Sequence, residues 1–163
     1  MKISTEPVPV STIYYNKDKI NLKPQYQRNQ VWTMEKKQLL IDSIINGYDI
    51  PKFYFNELLD DPEYENEVID GQQRLSTIFA FKDNLFTLGK ESEDTEYGDL
   101  RGKKFEDLDG AIKIHIDAYN LSIATVRKAR KEQISELFSR LQNGTSLNAA
   151  EKRNSLISEF KEF

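Results

Sequence analysis

The feature that most constrains this chain is an apolar strand that meets a helix through the dipeptide Asp-Gly. Residues 67–78 read EVIDGQQRLSTI, so Val68 and Ile69 directly precede Asp70 and Gly71. After the glycine, apolar residues recur at helical spacing. Glycine permits a sharp turn because it adopts backbone conformations that other residues avoid. The segment therefore predicts a strand–turn–helix corner, and with it a fold that mixes helices and strands.

The remaining segments predict an α+β fold, a small mixed β-sheet with helices around it. Thr33 is a suitable helix N-cap, and Gly47 followed by Pro51 marks the end of that helix. A length of 163 residues suits one compact domain. Residues 8–16 predict an edge strand or an extended arm, and further strands are predicted at 52–58, 67–70 and 111–126. The predicted helices cover 33–46, 72–83, 128–142 and 148–163. The predicted loops cover 22–32, 83–110 (with short strands) and 143–146.

Residues 111–117 alternate between apolar and polar side chains. Ile112, Ile114 and Ile116 occupy every second position, and His115 lies among the polar residues between them. A period of two is typical of a half-buried strand. We therefore expect a strand here, with His115 on its polar face.

Composition excludes several kinds of site. The chain has no cysteine and one histidine, so it holds neither a thiolate metal site nor a multi-histidine one. A net charge of −4 and a pI of about 5.2 do not suit a protein that binds DNA through a positive charge spread over its whole surface. No apolar run approaches membrane-spanning length, so we expect no membrane contact and a cytoplasmic location.

The chemistry of the Asp-Gly corner points to an anion. A helix N-terminus presents unpaired N–H groups and a positive dipole end, both of which attract phosphate. Arg74 in the first turn opposes that dipole, a cost that a bound anion would offset. Gln72 and Gln73 add uncharged amides, and Asp70 could hold a metal ion that accompanies phosphates. In the alternative interpretation, Asp70 only caps the helix and Arg74 pairs with a nearby acid.

Two further segments combine an arginine with amide side chains, in the strings YQRNQVW and LFSRLQNG. Each also has a structural interpretation, with Trp32 as a packing anchor and Asn143-Gly144 as a helix C-cap. Beside the Asp-Gly corner, such groups suit a pocket for a polyphosphate. The candidate side chains in the two strings are Tyr26, Gln27, Arg28, Arg140 and Asn143.

Four strings, in their order and spacing, resemble the N-terminal domain of GmrSD-type restriction endonucleases. They are YQRNQVW, LLIDSIINGYDIPKFYF, YENEVIDGQQRLSTIFAF and LFSRLQNGTSLNAAEKRNSL. The resemblance extends from Ile13 to about Leu156, and IDGQQR is its most specific part. It implies a ParB/sulfiredoxin-like fold, in which the corresponding strand–turn–helix corner binds nucleotide phosphates.

The resemblance also implies a function: a regulatory domain that binds and hydrolyses a nucleoside triphosphate with Mg²⁺, in a DNA-restriction or phage-defence protein. The implied catalytic residues are Asp70, Gln72 and Gln73. Asp70 is also the implied metal ligand. A C-terminal nuclease domain or a partner subunit would cut DNA, so we expect no nuclease activity in this chain. Gln142 departs from the family pattern, which often has Asn in that place. The implied nucleotide-binding residues are Tyr26, Gln27, Arg28, Gly71, Arg74, Arg140 and Asn143.

Two non-enzymatic interpretations make different demands on the sequence. A DNA-sensing module would contact the phosphodiester backbone through a basic helix, and its affinity would fall steeply with salt. A protein-interaction module would need neither that helix nor the Asp-Gly corner. The basic helix would use Arg127, Lys128, Arg130 and Lys131.

The end of the sequence also carries an expectation. Leu156, Phe160 and Phe163 share one face of the predicted final helix because they are four and three residues apart. We expect residues 1–163 to form a single domain and the native protein to continue beyond them, with this face against a following domain or a second copy. Alternatively, the face covers the sheet of the same domain.

Overall fold

A computed structural model describes residues 1–22 and 31–157, with residues 145–157 described by their backbone alone. The described chain divides into two compact units. The larger unit, Lys2–Arg127, holds the sheet and most of the helices. The second unit begins at Lys128 and holds one long helix.

The larger unit is built on a five-stranded mixed sheet. Its spatial order is β1-β5-β3-β4-β2. The pairs β1–β5 and β3–β4 are antiparallel, whereas β5–β3 and β4–β2 are parallel. The predicted small mixed sheet is thus confirmed. The strands are β1 (Lys2–Pro9), β2 (Ile20–Asn21), β3 (Phe53–Glu57), β4 (Asn66–Asp70) and β5 (Asn120–Arg127).

The helix predicted at residues 33–46 begins and ends where its capping signals place it. The hydroxyl of Thr33 accepts a hydrogen bond from the Lys36 backbone N–H at 3.2 Å, and Gly47 follows the helix with a φ of 78°. Side chains from β3, β5 and the helices form one buried core that includes Phe53, Leu75 and Ile78. The helices of the larger unit are α1 (Val10–Tyr15), α2 (Met34–Ile45), α3 (Gln72–Lys82) and α4 (Gly110–Ala118).

The strand predicted at residues 111–126 is half wrong, because its first part is helix α4 and only its second part is β5. The series Ile112, Ile114, Ile116 contains an i, i+4 pair as well as an alternation. The structure follows the helical i, i+4 spacing, because Ile112 and Ile116 are buried and Ile114 is 70% exposed. His115 is consequently half-buried, with Nε2 3.1 Å from the Ile44 carbonyl oxygen, and does not lie on the polar face of a strand.

The strand predicted at residues 8–16 is also misplaced. β1 starts at Lys2 and stops at Pro9, and the following six residues form α1. Pro9 occupies the N-cap position of α1, and Val10 and Ile13 are buried at helical spacing. The loop at 83–110 contains 3-10 turns at Lys90–Ser92 and Phe105–Asp107 and one isolated bridge between Thr95 and Gly98, not the short strands expected there.

The second unit contains a longer helix than the sequence predicts. Helix α5 (Lys131–Ile157) runs through Asn143 and Gly144, so residues 143–146 neither break the helix nor cap it. A helical glycine costs only about 1 kcal/mol relative to alanine, and the strong helix formers AAEK follow at 149–152. Phe160 and Phe163, and the apolar face predicted there, lie outside the described residues.

A matched pair of substitutions tests the helical assignment of α4. Ile116→Ala should lower the free energy of unfolding by about 2–5 kcal/mol because it opens a cavity in the core. Ile114→Ala should change it by less than about 0.5 kcal/mol because that side chain is exposed. Chemical denaturation of both variants measures the difference. Equal and large losses would instead place both side chains on one buried face, as a strand requires.

Candidate functional site

The candidate site is the corner at which β4 passes into α3. Gly71 connects Asp70 to the helix with a φ of 104°, in the left-handed region. A Cβ atom at this position would lie 2.5 Å from Cδ2 of the Phe53 ring. Two features therefore require glycine at position 71: the left-handed backbone conformation and the close packing of the Phe53 ring.

The start of α3 leaves its first amides without acceptors in their own helix. The N-cap residue is Gly71, which has no side chain with which to cap. The first intrahelical bond runs from the Leu75 N–H to the Gly71 carbonyl oxygen at 2.9 Å, so the amides of Gln72, Gln73 and Arg74 precede it. Since Gly71 holds the N-cap position, the interpretation of Asp70 as the N-cap is wrong. The corner keeps the features that attract an anion.

The Arg74 side chain clamps this corner to the residues that lead into β3. Its Nη2 lies 3.4 Å from Asp70 Oδ2, and its Nη1 donates to the carbonyl oxygens of Pro51 and of Lys52, the latter at 3.3 Å. The guanidinium carbon also lies 4.6 Å from the centroid of the Phe53 ring. These contacts leave the side chain only 12% exposed. The alternative in which Arg74 pairs with a nearby acid is therefore confirmed, and that acid is Asp70.

Burial sets the electrostatics of the Asp70–Arg74 pair. It raises the pKa of the Asp70 carboxyl above its ordinary value, and the attraction of Arg74 only partly opposes this rise. Burial likewise lowers the pKa of the Arg74 guanidinium, against the opposing attraction of Asp70. The carboxylate of Asp70 is therefore less stable in its shielded position than in water. A cation near it would favour its charged form.

The two glutamines differ in their contacts. Gln73 Oε1 accepts a hydrogen bond from the Trp32 backbone N–H at 3.3 Å. Trp32 itself is half-buried and packs against the core, so its predicted role as an anchor is confirmed. The Gln72 side-chain amide makes no hydrogen bond to any residue that the structure describes. Among the described residues, Gln72 is therefore the glutamine whose side-chain amide is not engaged.

The structure does not relate the other predicted nucleotide-binding residues to this corner. Tyr26, Gln27 and Arg28 lie outside the described residues. Arg140 and Asn143 belong to α5 in the second unit, where Arg140 Nε donates to Glu136 Oε2 at 2.8 Å. Their part in a nucleotide pocket stays a prediction.

The predicted basic helix at residues 127–131 is wrong. Arg127 ends β5, Lys128 has a φ of 55°, and α5 begins at Lys131. Arg127 Nε lies 3.3 Å from Glu57 Oε2, and Arg130 Nε lies 3.5 Å from Glu132 Oε2. These acidic partners reduce the charge that the segment could offer to a phosphodiester backbone.

Sequence reasoning missed Lys52 and Tyr54. Tyr54 in β3 pairs with Asp70 in β4, which brings the start of β3 beside the end of β4. Lys52 Nζ lies 5.3 Å from the centroid of the Tyr54 ring. The signal in the sequence is a lysine just before a strand, but its relevance depends on the antiparallel pairing of β3 with β4.

A depression of about 260 Å³ lies at the opposite end of β3 and β4 from the Asp-Gly corner. Phe55 and Ile123 contribute apolar surface, and Glu57 and Arg127 contribute charge. Its lining includes none of the residues of the Asp-Gly corner. Within the described ranges no group of three or more histidine, cysteine, aspartate or glutamate side chains could hold a metal ion, and no helix is long and apolar enough to cross a bilayer.

Comparison with known proteins gives one match. A family model described as GmrSD restriction endonuclease, N-terminal domain, matches residues 10–158. No curated protein and no solved structure matches the chain significantly. The matched span includes the whole β4–α3 corner and all of α5.

The raised pKa of Asp70 predicts a pH dependence of stability. A carboxyl whose pKa is higher in the folded state binds a proton more readily when folded, so its contribution to stability is present at low pH. That contribution is lost as the pH rises from the unfolded value, about 3.8, through the folded value. Asp70→Asn removes this loss, so it should gain stability relative to the parent as the pH rises through that window.

Denaturation of both proteins in metal-free buffer at about pH 3, 4.5 and 6 measures this difference. The comparison with the parent cancels the titration of the other carboxylates, several of which have lowered pKa values. A difference that stays constant over the whole range would show that the pKa of Asp70 is not raised by folding.

Proposed function

Because the chain belongs to the family of GmrSD restriction endonuclease N-terminal domains, we propose that it binds a nucleoside triphosphate at the β4–α3 corner and hydrolyses it. Family membership gives the domain a role in a restriction or phage-defence protein. In the proposal, the nucleotide state of this domain regulates DNA cutting by a nuclease domain or subunit outside this chain. The observation that carries the proposal is the Gly71 turn, which leaves the first amides of α3 without helical acceptors beside Asp70.

The fold of the larger unit supports the proposal. A mixed sheet whose strand passes through a left-handed glycine into a helix is compatible with a ParB/sulfiredoxin-like fold, which we propose for this chain. In that fold the phosphates lie at the helix N-terminus. Successive N–H groups and the positive end of the helix dipole favour such an anion.

Asp70 is the residue that would hold Mg²⁺. Mg²⁺ in nucleotide sites is bound by one or two carboxylates together with phosphate oxygens and several waters, so it needs no cluster of three protein ligands. Asp70 ends β4, is 25% exposed, and is fixed on one side by Arg74. The metal would neutralise charge on the phosphates. Its positive charge would also offset the cost of keeping the half-buried Asp70 ionised.

The two glutamines have different roles in the proposed reaction. Gln73 is engaged with the Trp32 backbone and holds the segment before α2 against α3. Gln72 is the candidate to orient the attacking water, since a side-chain amide can both donate a hydrogen bond to that water and accept one from it. In-line attack of the water on the terminal phosphorus breaks the bond to the bridging oxygen, which leaves with the nucleoside diphosphate.

Calorimetric titration with ATP, GTP, CTP and UTP, each with Mg²⁺, tests the proposal. At least one should bind, and Asp70→Asn should weaken that binding by about tenfold or more because it removes the ionic metal ligand. Asp109→Asn is the matched control, since Asp109 precedes α4 and is exposed. Failure of all four nucleotides to bind the folded chain would reject the function. Equal losses in both variants would reject the role of Asp70.

A further inference from the structure

We infer that Lys52 is the cationic side chain that contacts the nucleotide phosphates, whereas Arg74 acts as a positioning residue. This inference rests on the proposed function and deepens it. It follows from how the two cations at the corner are used within the protein. Arg74 is held by several contacts, and Lys52 has no acidic partner among the residues that the structure describes.

The Arg74 side chain already makes several contacts within the protein. Its guanidinium donates to two backbone carbonyl oxygens, pairs with Asp70 and stacks on the Phe53 ring. Contact with a phosphate would require this planar group to leave the half-buried Asp70 carboxylate, which would lose its cationic partner. The side chain therefore serves the site best by fixing the relative positions of Asp70 and the entry to β3.

Lys52 lies in the segment that Arg74 fixes. Its carbonyl oxygen lies 3.3 Å from Arg74 Nη1, so the backbone from which the side chain projects is anchored to α3. Alternate residues of a strand share a face, and the approach of Lys52 Nζ to the Tyr54 ring places these two side chains on one face. Because Tyr54 pairs with Asp70, this face leads to the Asp-Gly corner.

The Lys52 ammonium is available for a ligand. The residue is exposed, and within the described part of the chain its ammonium has no ion pair, only the ring of Tyr54. Lysine acts as a mobile point charge on a flexible four-carbon stem, which suits phosphate groups that change position during a reaction. The Lys52 ammonium thus offers a positive charge that no described carboxylate neutralises, on a backbone that Arg74 holds in place.

Titration of the chain with the tightest-binding Mg²⁺-nucleotide tests the inference through three variants. Lys52→Gln should weaken binding by about ten- to a hundredfold, the range expected for loss of one charge-assisted contact. Lys52→Arg should keep most of the affinity because it keeps the charge. Lys113→Gln, on α4, is the matched control and should bind like the parent.

Two further readouts separate a phosphate contact from a structural effect. Thermal unfolding of Lys52→Gln without nucleotide should match that of the parent, and its nucleotide affinity should fall less steeply with salt. Parent-like affinity of Lys52→Gln would overturn the inference and leave the proposed function intact. Failure of the parent to bind any nucleotide would overturn both.

Discussion

The contacts of the Arg74 guanidinium are the constraint on which the candidate site depends. One planar group joins the end of β4, the residues before β3 and the first turn of α3. Phe53 packs under the same group and against Gly71, so the turn tolerates no Cβ atom. The corner is therefore rigid before any ligand arrives. A preorganised site avoids the entropic cost of ordering its side chains on binding.

The corner itself and helix α2 could be predicted because their signals are local. Asp70-Gly71 between an apolar strand and an amphipathic helix, and Thr33 with Gly47 around α2, act within a few residues of chain. The series Ile112–Ile116 failed as a signal because it satisfies the periods of both a strand and a helix, and only tertiary packing selects between them. For Asn143-Gly144, a weak local breaker is outweighed by the helix formers that follow.

The roles of the charged side chains at the site could not be predicted from local sequence. Arg74 contacts residues more than twenty positions away, and Lys52 reaches the corner only because β3 pairs antiparallel with β4. The sequence pattern identified the arginine as a candidate, whereas strand pairing defines what it touches. Membership of the GmrSD N-terminal family then supplies the biological setting that the geometry alone leaves open.

Binding of nucleoside triphosphates at the β4–α3 corner is tested most directly by titrating isotopically labelled protein with Mg²⁺ and each triphosphate. The backbone amide resonances report which residues respond. We expect the largest changes at Gly71, Gln72, Gln73 and Arg74, where the amides face no helical acceptor. Changes confined to the distant depression beside Phe55 and Ile123, with the amides of the corner unmoved, would contradict binding at the corner.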